Sequence, residues 1–105
     1  MLRLTEKYFS HSRSYRYREW NNELMDILDR HHSLPDRNEN NETEFWFHVK
    51  RSSYTIIFDN RTGCYKYGRN YYKTTKTSVG DLMMPCIELF ADLIANGYME
   101  KESEE

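Results

Sequence analysis

Thr43-Glu44-Phe45-Trp46-Phe47-His48-Val49-Lys50-Arg51-Ser52-Ser53-Tyr54-Thr55-Ile56-Ile57-Phe58-Asp59 is the stretch on which the fold turns. Phe45, Phe47 and Val49 alternate with Trp46, His48 and Lys50, and Tyr54, Ile56 and Phe58 alternate with Thr55, Ile57 and Asp59. A strand sends successive side chains to opposite faces, so a period of two reads as two strands. Arg51-Ser52-Ser53 leaves room between them only for a hairpin. Downstream, Asp59-Asn60-Arg61-Thr62-Gly63 supplies a second turn, with glycine where a positive φ is needed. Cys64-Tyr65-Lys66-Tyr67 then makes a third strand running to Gly68. Tyr71-Tyr72-Lys73-Thr74 either continues it beyond a bulge or forms a short fourth.

Upstream the period changes. From Tyr17, the residues Trp20, Leu24, Ile27 and Leu28 recur at three- and four-residue spacing, which predicts a helix ending near His31-His32. Pro35 disfavours helix at the residue before it and marks the turn. Residues 35–42 hold no apolar side chain and are expected to form an exposed, mobile loop. Beyond the strands, Ser78 is placed to cap a second helix, with Asp81 three residues on. Val79, Leu82, Met83, Cys86, Ile87, Phe90, Leu93 and Ile94 trace its apolar stripe, and Asn96-Gly97 gives a left-handed stop onto which Tyr98 can fold. Pro85 should kink this helix or move its start to residue 85. Residues 1–12 and 100–105 show no such pattern and are expected to be flexible ends.

The resulting order is helix, three or four antiparallel strands, helix. It predicts a single small α+β domain over 1–105, a meander with both helices on one sheet face and the other face open. Double-stranded-RNA-binding domains share this order, but residues 74–79 offer a single lysine, Lys76, and order alone assigns no family. Sixteen aromatic residues among 105 supply most of the area available for a core. No long apolar run or secretory leader pattern is present, which points to a cytoplasmic chain with no membrane association and free Cys64 and Cys86. Asn41-Glu42-Thr43 and Asn60-Arg61-Thr62 read as turn sequence rather than glycosylation sites.

Charge is sorted along the chain. Residues 1–18 carry five bases and one acid, 19–47 two bases and eight acids, 48–76 seven bases and one acid, and 77–105 one base and seven acids. Such sorting is expected to set oppositely charged elements side by side. His11, His31, His32, His48, Cys64 and Cys86 lack the spacing of a zinc site, and the four glycines are isolated, so no metal, cofactor or phosphate loop is expected. Cys64 with His48 is the one nucleophile–base pair to weigh. His48, Glu44 and Arg51 could serve as a metal-free nuclease trio.

Two sets of residues suit a binding role. Glu39, Glu42 and Glu44 with Trp46 would present carboxylates and an aromatic anchor to another protein, such as a basic nuclease or nucleic-acid-binding enzyme, as inhibitors, immunity proteins and phage-encoded blockers do. Lys50, Arg51, Lys66, Tyr67, Arg69, Tyr71 and Lys73 would instead suit RNA or single-stranded DNA through phosphate neutralisation and base stacking. The first reading, a non-enzymatic protein-binding module, is preferred because it requires no hidden chemistry.

Overall fold

The computed structural model describes residues 2–15, 23–33, 35–49, 52–72 and 79–101, with the side chains of 13–15, 70–72 and 79–82 left aside. In chain order the elements are β1 (Leu2–Leu4), α1 (Glu6–Tyr15), α2 (Glu23–Arg30), β2 (Asp36–Arg37), β3 (Glu42–Val49), β4 (Ser52–Asp59), β5 (Tyr65–Tyr72), α3 (Val79–Ala95) and β6 (Met99–Lys101). An antiparallel sheet of four strands runs β2-β3-β4-β5, and β1 pairs with β6 in a sheet of two. The architecture is α+β.

The hairpin forms in the register that the alternation dictates, from Glu42 opposite Asp59 to Val49 opposite Ser52. Ser52 and Ser53 belong to β4, so the turn is shorter than expected and only residues 50 and 51 lie between the strands. Gly63 sits at φ +79°, and a Cβ there would stand 2.3 Å from the Leu4 carbonyl oxygen. Only glycine satisfies both constraints. Beyond it β5 is one continuous strand rather than two, its register against β4 shifting between Ile57 and Phe58 and between Ser53 and Tyr54. Lys66 is the extra residue at the first shift. Bulges of this kind twist a sheet edge and discourage pairing with another chain.

Phe45, Phe47, Tyr54, Ile56 and Phe58 face the core, where Phe90 of α3 meets Phe45, Phe47 and Phe58 edge-on at centroid distances of 5.5, 6.0 and 5.8 Å. Leu24, Met25, Ile27 and Leu28 of α2 join the same cluster, so α2 and α3 cover one sheet face. Helix α2 ends as expected. His32 adopts φ +52°, with His32 N–H donating to the Asp29 carbonyl and Ser33 N–H to the Leu28 carbonyl. The same closure ends α3, with Gly97 at φ +83° and Tyr98 N–H donating to the Leu93 carbonyl at 2.8 Å. The expected beginning of the first helix, from Tyr17 to Asn22, and the Ser78 cap lie outside the described residues.

Four expectations are corrected. Residues 1–12 are not a loose end, since β1 pairs with β6, and Leu4 and Tyr8 are buried. Thr5 opens α1, its carbonyl accepting from Phe9 N–H and its hydroxyl from Tyr8 N–H. At the other end Glu100 and Lys101 are likewise strand, tied by the Arg3–Glu100 ion pair. Residues 35–42 are not an open loop. Asp36 and Arg37 pair with Glu44 and Thr43, and Asn38 closes a turn whose Asn41 stands at φ +59°. Helix α3 runs through Pro85, which removes the alternative of a start there, and the expected apolar stripe is corrected: the buried side carries Cys86, Leu89, Phe90 and Leu93 while Ile87 and Ile94 are exposed. A helix with apolar residues almost all round offers periodicity too little contrast to choose a face.

Candidate functional site

Because the helices cover one face of the sheet, the residues of opposite parity make up the other. Register sets them in rows across three strands. Trp46 stands opposite Thr55, which stands opposite Arg69, and Glu44 stands opposite Ile57, which stands opposite Tyr67. Thr55 and Ile57 are 0% and 1% exposed although they belong to no part of the main core. Both stand between long or aromatic residues, Trp46 and Glu44 on β3 and Arg69 and Tyr67 on β5. Tyr67 remains 38% exposed, and Trp46 is half-buried. The Arg69 guanidinium lies 5.6 Å from the Tyr67 ring centroid and donates to its hydroxyl at 3.1 Å.

Glu42 closes one end of this face, and it is buried rather than offered to a partner. Its Oε2 accepts from Lys66 Nζ at 2.6 Å and its Oε1 from Asn38 Nδ2 at 2.8 Å. These two contacts, the lysine's first, hold the Glu42 carboxyl below the ordinary carboxylate range. Reciprocally, Glu42 holds the Lys66 ammonium above its ordinary value. The bulge at Lys66 aims its side chain across β4 to reach β3. Asn38 also donates to Glu44 Oε2 at 3.0 Å and accepts from the backbone N–H groups of Asn40 and Glu42, both at 3.0 Å. This asparagine organises the acidic end, and residue type alone gave no sign of it. An Asn four residues before a strand acid, in a run of turn formers, is the signal that would have found it.

Rival sets of residues thus meet on one surface. Glu42, Glu44, Trp46, Lys66, Tyr67 and Arg69 all belong to the outer face or its border, while Glu39 is exposed in the turn beside it. Tyr71 lies in β5, its side chain not among those described, and Lys50, Arg51 and Lys73 lie outside the described residues. No protein-family model, curated protein or solved structure matches this chain. Function must therefore be read from the geometry.

The residues weighed for catalysis are kept apart. His48 stands opposite Ser53 near the hairpin, whereas the Cys64 carbonyl accepts from Asp59 N–H at the far end of β4, a strand length of roughly 20 Å away. Glu44 and His48 share a face but are separated by Trp46 and by roughly 13 Å of strand. Cys86 is buried beside the Tyr54 hydroxyl, and burial pushes its thiol up to about 11. Tyr54, itself buried, has a hydroxyl that reaches no hydrogen-bond geometry and is raised by the same cause. Among the described residues no three of His, Cys, Asp and Glu converge as metal ligands, and no helix is long and apolar enough to cross a membrane.

Proposed function

We propose that this chain is a non-enzymatic protein-binding module, of the inhibitor, immunity or phage-type blocker kind, that engages another protein through the outer sheet face. The observation that carries the reading is the internal compensation of charge there. Glu42 takes up Lys66, and Trp46 and Tyr67 flank the buried Thr55–Ile57 centre. Aromatic and arginine side chains around a centre poor in uncompensated charge are what protein interfaces select. A phosphate track needs the reverse, free cations in a row. Here Glu44 stands in the row of Tyr67, so a nucleic-acid backbone passing over the tyrosine would meet a carboxylate. Exposed Glu39 at the rim suits a basic partner such as a nuclease.

A photo-reactive residue at position 67, with one at the exposed Glu6 as control, tests this in extract of the native host. Discrete protein adducts at 67 that survive nuclease treatment, and that Trp46→Ala reduces at least about tenfold, support the proposal. Nuclease-sensitive adducts would transfer the face to RNA or single-stranded DNA. Identical adducts at both positions would remove it altogether. Oligonucleotide binding that weakens steeply with salt would favour the nucleic-acid reading as well.

A further inference from the structure

Asn96-Gly97 is the only asparagine–glycine pair in the chain, and both residues are exposed just past the end of α3. Glycine makes such a pair chemically distinct, because no Cβ screens the backbone nitrogen that follows the side-chain amide. In the fold each reactant is tied down. Asn96 Nδ2 donates to the Asp92 carbonyl at 2.8 Å, which turns the amide back along α3, and Gly97 N–H donates to the Ile94 carbonyl at 3.2 Å. Three successive carbonyls, those of Asn96, Gly97 and Tyr98, are held by the opposite end of the chain. Lys7 Nζ donates to the first at 2.7 Å, Thr5 Oγ1 to the second at 2.6 Å and Thr5 N–H to the third at 3.1 Å. The peptide between residues 96 and 97 is planar, so rotation that brings Gly97 N onto Asn96 Cγ carries the Asn96 carbonyl away from Lys7. The Lys7 and Thr5 side-chain contacts are exposed, and contacts of that kind open locally at less cost than a buried core.

We infer that Asn96 is a site of spontaneous deamidation, gated by a latch of Thr5 and Lys7 rather than by global unfolding, and that its conversion releases the paired chain ends. When the latch opens, Gly97 N loses its proton to solvent base and bonds to Asn96 Cγ. The Cγ–Nδ2 bond breaks, and Nδ2 takes up a proton and leaves as ammonia. Water then opens the five-membered imide that remains. Cleavage between Gly97 N and Cγ gives aspartate, and cleavage between Gly97 N and the backbone carbonyl carbon gives isoaspartate. One water enters for each ammonia lost, with no change in oxidation state. Either product puts a carboxylate at the negative end of α3. Isoaspartate also adds a methylene to the backbone between Leu93 and Tyr98, whose 2.8 Å closure ends the helix and seats Tyr98 at 0% exposure. Strand β6, the partner of β1, begins at the next residue. The latch is separate from the outer sheet face, because α3 packs on the opposite face, so each proposal can fail without the other.

Peptide mapping by mass spectrometry of the full chain, incubated in mildly alkaline buffer with and without unfolding urea, reads conversion at each asparagine. In urea Asn96 should convert ahead of every other asparagine, and in the native chain it should convert at least about tenfold more slowly. Lys7→Met, and independently Thr5→Val, should each raise the native rate about two- to tenfold while leaving the rate in urea unchanged. Phe47→Leu lowers global stability in the core without touching the latch, and should leave the native rate as it is. In the purified isoaspartate chain, hydrogen exchange should show Leu2–Leu4 and Met99–Lys101 opened while β3 and β4 stay protected. Equal native and urea rates would show that nothing gates the site. Acceleration by Phe47→Leu as large as that by the latch variants would assign the gate to global unfolding. No acceleration by either latch variant, or chain ends still protected in the isoaspartate form, would overturn the proposal as well.

Discussion

Thr55 lies at 0% exposure in the middle of β4, and its hydroxyl has no hydrogen-bond partner. Valine would fill nearly the same volume without stranding a polar group, which costs about 1–3 kcal/mol when buried. Thr55→Val is therefore expected to raise stability by about 1 kcal/mol, seen as a higher urea midpoint at unchanged slope. A lower midpoint would mean that the hydroxyl is satisfied after all. The parity that sets this residue on the outer face was legible in the sequence. Alternation placed Trp46, Thr55 and Ile57 on the face opposite Phe45, Tyr54 and Phe58 before any register was known. Glu42 was not legible in the same way. A polar run reads as exposed, and the burial of Glu42 follows from Asn38 and Lys66 converging on it from a turn and a bulge. Both are features of backbone geometry rather than of residue type.

At the level of elements, two glycines with nearly the same φ separate conformational strain from steric conflict. Gly97 ends α3 at φ +83°, where an added Cβ meets only the Lys7 side chain at 3.6 Å, an ordinary contact. Gly97→Ala should thus cost the left-handed penalty alone, about 1 kcal/mol. Gly63 stands at φ +79° with the Leu4 carbonyl oxygen 2.3 Å from a Cβ, and its own carbonyl accepts from Leu4 N–H at 2.7 Å. Gly63→Ala must push β1 away from the 59–63 turn, and we expect a loss of about 3 kcal/mol or more. Equilibrium unfolding of both variants checks the difference, and equal losses would contradict it. Strands β3 and β4 and the ends of α2 and α3 were legible because alternation, proline and Asn-Gly act locally. Strand β1 was not, since three residues acquire their structure only by pairing with the other end of the chain. Helix α1 escaped for a related reason. Its apolar positions Tyr8 and Phe9 are adjacent and give no helical period, although Leu4-Thr5-Glu6 carries the signature of a capped start.

For the whole molecule, the sorted charge resolves into pairs between blocks. Arg3 meets Glu100, Lys7 meets Glu23 at 3.4 Å, and Lys66 meets Glu42 at 2.6 Å, three pairs that join a basic block to an acidic one, whereas Arg30 and His31 meet Asp92 at 3.8 and 2.6 Å between the two acidic blocks. Exposed pairs contribute little individually, so the molecule's response to pH rests on the groups whose protonation folding changes. Two carboxyls are lowered on folding: Glu42 by Lys66 and then Asn38, Glu23 by the Tyr98 hydroxyl and then Lys7. A lowered carboxyl stabilises the fold above its ordinary value near 4.5 and loses that contribution as pH falls through the lower, folded value. Buried thiol and phenol groups act in the opposite sense. Cys86 rises from 9.0 to about 11 and Tyr98 from 10.0 to about 12, both chiefly through burial, and Tyr8 and Tyr54 are also raised. The folded state holds these protons more tightly than the unfolded chain, so stability is full below pH 9 and falls as pH rises from there toward 11. Urea midpoints measured across pH should form a plateau between about 5 and 9 from these groups, with losses on both sides. Glu42→Gln should flatten the acid limb, and Cys86→Ala should flatten the first part of the alkaline limb by about 2 kcal/mol. An alkaline limb that begins equally early in Cys86→Ala would show that the thiol is not the group released there. In the native protein at pH 8 the same burial should leave Cys86 unreactive to iodoacetamide while the half-buried Cys64 is modified, and two modified thiols per folded chain would contradict it.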